Sequence, residues 1–88
     1  MTRRKYPSMP FSYAGRQLEA RAVPAADKCE ICIYENNRRL IRHAFIDMQT
    51  VRDAERYNLD LLGDMISTTI EAVNARRLIL PPGGASES

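Results

Sequence analysis

From Asp47 to Arg77 the apolar residues recur at helical spacing. Met48, Val51, Leu59, Leu62, Ile66, Ile70 and Val73 share one face, and Glu55 interrupts the row. A second row, Ala54, Tyr57, Leu61, Met65 and Ala72, runs beside the first and widens the apolar arc beyond what docking on a single flank needs. Asp53, Asp60, Asp64, Ser67, Glu71 and Asn74 form the opposite, solvated face. The pattern predicts one long C-terminal helix, opened by Asp47 or by Thr50 with Asp53 and closed by Arg76 and Arg77, whose charge suits the helix C-terminus. A single helix over this stretch would be about 42 Å long at ~1.5 Å per residue. Tyr57 to Leu59 is therefore a natural break, with Asn58 as a cap for a second segment, and Gly63 weakens the middle by about 1 kcal/mol.

The first half of the chain reads differently. Phe11, Ser12 and Tyr13 alternate, Ala14 and Gly15 supply a turn, and Gln17 to Val23 places Leu18, Ala20 and Ala22 against Glu19, Arg21 and Val23. The LEARA run also suits a helix, and Pro24 ends the element in either conformation. After a loop at Ala25 to Lys28, Cys29 to Glu35 is rich in β-branched and aromatic residues, and Asn36–Asn37 is a turn signal because Asn tolerates the left-handed region. Arg38 to Ile46 returns as the partner strand, with Ile41 and Phe45 against Leu40, Ala44 and Ile46. Both strands of this hairpin carry apolar residues on both faces, so one face meets the helix and the other asks for further cover.

These elements predict an α+β domain: two antiparallel β-hairpins (β-β-β-β) followed by one long C-terminal α-helix, in two layers. Residues 1–10 read as a disordered basic arm, 11–80 as the single domain and 81–88 as a disordered tail rich in Gly and Ser. A chain of 88 residues without Trp makes a thin core. The wide helix and two-faced hairpin then predict a homodimer in which Tyr57, Leu61 and Met65 touch the second subunit. No apolar run approaches a membrane span and no secretory leader is legible, which together with two cysteines predicts a cytoplasmic protein with no membrane partner.

Charge is unevenly distributed. Residues 1–46 carry nine Lys and Arg against four acids, and residues 47–88 carry four against seven. Such asymmetry suits a nucleic-acid surface, or halves that attract each other within the fold or across a dimer. Arg16, Arg21, Arg38, Arg39 and Arg42 are spread over the strands with Tyr13 and Tyr34 as stacking groups, and Arg3, Arg4 and Lys5 lie on the arm. Glu19, Glu30 and Glu35 share those strands and neutralise part of the field, Glu30 being placed to face Arg42 or His43.

Little catalytic chemistry is legible. Cys29 and Cys32 form C-x-x-C with His43 beyond, but zinc needs four ligands and no second pair exists in the chain. Residues i and i+3 of a strand also point to opposite faces, so a shared ion would need a knuckle there or a second subunit's cysteine pair. A redox pair usually opens a helix, and this one runs into a strand, so the cysteines read as small buried hydrophobes. His43 lacks a nucleophile and orienting acid placed by any motif, and Asp60 with Asp64 reads as solvent-facing charge. No cofactor or metal is implied. The expectation is a non-enzymatic interaction module that binds a protein partner; the alternative is a single-stranded nucleic-acid-binding module using the basic sheet face and the arm.

Overall fold

A computed structural model describes residues 6–81. Four strands, β1 (Ser8–Tyr13), β2 (Arg16–Ala25), β3 (Lys28–Glu35) and β4 (Arg38–Asp47), are followed by two helices, α1 (Met48–Arg56) and α2 (Leu61–Asn74). The strands form one antiparallel sheet in the order β1-β2-β3-β4. Each connection is two residues long, and each contains a residue with positive φ: Ala14 and Gly15, then Ala26, then Asn36 and Asn37. Backbones of this hand match the twist of the strands they join. The LEARA run is strand because it is paired on both sides, with Glu19 between Pro10 and Tyr34 and Arg21 between Ser8 and Cys32. Tertiary pairing here overrides helix propensity.

β1 begins at Ser8 rather than Phe11, so the strand takes in residues expected in the arm. Residues 1–5 and 82–88, which hold Arg3, Arg4, Lys5 and most of the expected tail, lie outside the described residues. β2 also runs through Pro24 to Ala25, pairing Pro24 with Cys29. The last β1–β2 pair is Ser8 with Arg21, so β2 is an edge at Pro24, where the missing N–H costs no ladder bond on the β1 side.

The expected single helix is two. Tyr57 ends α1, Asn58 takes φ +61, and the amides of Leu59 and Asn58 return to the carbonyls of Ala54 and Glu55 at 3.0 Å each. This six-to-one and five-to-two pairing is a Schellman stop, in which Asn tolerates the left-handed residue. Asn58 therefore closes the first helix instead of capping the second. Asp60 caps α2 by accepting from the Gly63 amide at 3.1 Å. At the start of α1, Asp47 makes no side-chain cap and Thr50 lies inside the helix; the Met48 amide donates instead to the Asp27 carbonyl at 2.8 Å. The β2–β3 turn thus satisfies one of the helix's orphan donors.

Both helices contribute to the first of two core clusters, and α2 alone to the second. Ala20, Ala22, Cys29 and Ile31 form a buried cluster with Met48, Val51, Leu62 and Ile66, and Leu18, Ile33 and Val73 form a second one on which Leu40, Leu78 and Leu80 rest. At about 25 cal/mol per Å² such burial is the main favourable term available to so small a domain. Asp53, Asp60, Asp64, Ser67, Glu71 and Asn74 are all exposed, as the solvated helix face requires.

Candidate functional site

Strand alternation sends Glu19, Arg21, Glu30, Cys32 and Tyr34 to the face of the sheet opposite the core clusters. Two register shifts decide what β4 adds. Ile31 pairs with Ala44 but Cys32 with Arg42, and Ile33 pairs with Ile41 but Tyr34 with Arg39, which leaves His43 and Leu40 as extra residues in two bulges. Ile41 and Phe45, expected on one face, are thereby separated: Ile41 pairs with the core residue Ile33, and Phe45 pairs with Glu30 on the outer face. Arg39 and Arg42 join that face as well. No residue type in the sequence signals these bulges.

The outer face is a layer of paired charges over a few apolar groups. The Arg21 guanidinium stacks 4.1 Å from the Tyr34 ring centroid. Its Nε donates to Glu19 Oε1 and its Nη2 to Asn37 Oδ1, each at 2.6 Å, so the fork is held on three sides. Arg42 Nη1 donates to Glu30 Oε2 at 2.9 Å, and Arg39 Nη1 lies 4.0 Å from Glu30 Oε1. The Glu30 carboxylate is nearly buried while both arginine side chains remain 57% exposed. Lys28 Nζ sits 4.9 Å from the Phe45 ring centroid, and Phe45 is 59% exposed.

Cys32 lies fully buried beneath this layer, paired across the sheet with Arg21 and Arg42. Burial pushes its thiol up, the Glu30 charge adds to the rise, and Arg39 and Arg42 oppose it. Cys29 is buried on the other face, between Pro24 and Ile46. The two sulfurs thus point to opposite sides of β3 and cannot share one ion. The apolar second face of the central hairpin is covered in part by the chain's own arginines and glutamates.

Of the sequence-derived site residues, Arg21, Tyr34, Arg39 and Arg42 are brought together. Tyr13 is not: it packs against Leu18, Ile33 and Val73 on the core side. Arg16 donates to Glu35 through Nη2 at 2.9 Å and Nε at 3.3 Å near the β1–β2 turn, a bond that raises its pKa further. Arg38 is exposed and pairs in register with Glu35. Asn37, Lys28 and Phe45 belong to the surface and were not legible as such. Tyr57, Leu61 and Met65 do not form one row, because the helix break separates them; Tyr57 is 75% exposed beside exposed Leu59, Leu61 is half-buried, and Met65 packs against the first core cluster.

On the far side of β4, the His43 bulge and Ala44 line a shallow groove of about 180 Å³ with Asp64, Met65, Thr68 and Thr69 of α2. Among the described residues no group of three or more His, Cys, Asp or Glu could hold a metal ion, and no helix is long and apolar enough to cross a membrane. No protein-family model matches the chain, and searches of curated proteins and of solved structures also find no match.

Proposed function

We propose that this chain is a non-enzymatic interaction module that binds a protein partner through the outer face of its sheet. In this reading the domain is two-layered, with the helices on one face and the partner's site on the other. The observation that carries it is the Arg21 fork, held by Glu19 and Asn37 on the Tyr34 ring. A fixed Arg on an aromatic, beside exposed Phe45 and two half-free arginines, is the composition of an interface hot spot with little ordering left to do on binding. Glu19 and Glu30 already engage three of the face's cations, which suits a mixed protein surface better than a phosphate polymer.

The module is read as a homodimer joined at the corner between the helices, where Tyr57 and Leu59 are exposed next to Leu61. Its setting in the cytoplasm remains part of the same proposal. Binding to single-stranded nucleic acid is the second reading, favoured by the Arg21–Tyr34 stack and by Arg39 and Arg42, which could contact a backbone. Fluorescence anisotropy with a labelled single-stranded oligonucleotide separates the two. The first reading expects no binding at about 50 mM salt, and binding that falls steeply with added salt would replace it.

A further inference from the structure

β4 is an edge strand of ten residues. Outside helices and strand ladders, no backbone hydrogen bond between described residues involves it. The other edge, β1, is shorter and carries Pro10, which deters pairing. The two flanks of β4 differ in kind. On the outer face, Arg39 and Arg42 stand exposed around the single carboxylate of Glu30. On the helix side lies the groove of Ala44, Met65, Thr68 and Thr69, with Asp64 and His43 at its rim.

An added strand would present its side chains alternately to these two flanks. Acidic residues suit the arginine flank. On the groove flank Asp64 would repel them, and small apolar residues suit Ala44 and Met65 in its lining. We infer that β4 accepts an extended acidic–apolar segment of the protein partner as a fifth strand, with acids over Arg39 and Arg42 and apolar side chains in the groove. A second copy's β4 is a poor occupant. Laid antiparallel about its centre, it would set Arg42 and His43 of one chain against His43 and Arg42 of the other, and each would bring a second set of bulges. The edge therefore discourages self-pairing and selects for opposite charge.

This inference rests on the protein-binding reading, and the test separates the two. The probe is an acetylated and amidated ten-residue peptide alternating Glu and Val, with a Lys and Val counterpart, each measured by fluorescence anisotropy against the full chain. The acidic peptide is expected to bind at least about tenfold more tightly, equivalent to ~1.4 kcal/mol. Methylating its backbone nitrogens on every second residue should abolish binding in one parity and spare it in the other, because only alternate amides face β4. Thr68→Trp, at an exposed position, should fill the groove and weaken binding about tenfold without unfolding the domain. Equal binding of the two peptides, tolerance of both methylation parities, or no acidic-peptide binding at all would each overturn strand addition. If both parities bind but Tyr34→Ala weakens the complex, face docking stands and strand addition alone falls. Oligonucleotide binding without peptide binding removes both.

Discussion

Arg76 lies one residue beyond the C-cap of α2 at φ +62, and the Arg77 and Arg76 amides return to the carbonyls of Ala72 and Val73 at 2.8 and 3.0 Å. This is the same stop that Asn58 provides for α1, made with a residue that pays a steric penalty there. Arg76→Gly should therefore stabilise the domain by about 1 kcal/mol in urea denaturation, and Ala26→Gly, at φ +53 in the β2–β3 turn, by a similar amount. A loss of stability in both would mean that these positions are not held left-handed in solution. At Cys32 the folded thiol holds its proton more tightly than the unfolded one. Its contribution is complete below the ordinary thiol value of 9.0 and is lost as pH rises through the higher folded value. The urea midpoint of the native chain should thus fall faster above that pH than the midpoint of Cys32→Ala. Asn36–Asn37 was legible as a turn because Asn favours the left-handed region; Ala26 and Arg76 were not, since nothing in those residue types asks for positive φ.

The helix break is the element on which sequence and structure differ most. The apolar row continues past its interruption at Glu55, so length and Asn58 mark Tyr57 to Leu59 as a break without fixing its form, and Asn58 reads equally well as an N-cap or as a left-handed C-terminal residue. Asp60 and Gly63 settle how α2 begins. The Gly63 amide donates to the Asp60 side chain, and a Cβ at Gly63 would collide with that carboxylate. Gly63→Ala should accordingly destabilise the protein despite the better helix propensity of Ala, and Asp60→Ala should cost about 1 kcal/mol. In the Asp60→Ala background the sign should reverse, with Gly63→Ala stabilising by roughly 0.5–1 kcal/mol. Additive single and double variants, measured by denaturant midpoint, would show that the two positions do not touch. Among the strands β2 was more legible than β4, because alternation in β2 agrees with its neighbours, whereas in β4 two bulges undo it.

At the scale of the whole molecule, Tyr57 and Leu59 are two exposed large apolar side chains close together in sequence at the corner between the helices. Sedimentation velocity at micromolar concentration should report a dimer for the native chain and a monomer for the Tyr57→Ser, Leu59→Ser double variant; a native monomer would remove the dimer from the proposal. The charge asymmetry between the two halves takes a local form. Arg16, Arg21, Arg39 and Arg42 are matched with Glu35, Glu19 and Glu30 within the sheet, so the basic half partly neutralises itself. The acids of α2 and its cap remain in solvent, with Asp60, Asp64 and Glu71 all exposed.

Periodicity alone determined that four strands precede helical structure, that Leu18, Ala20 and Ala22 lie inward, and that Asp53 to Asn74 presents a polar face. These are properties of side-chain sequence at fixed periods of about 2.0 and 3.6 residues. Only the tertiary structure decided that the helix is two and how the first one stops, where β4 bulges, and which arginines share a surface. The bulges and the shared arginine surface depend on the register between distant strands, and the helix stop on two local backbone bonds from Asn58 and Leu59; a backbone bond leaves no mark on the identity of the residues that make it.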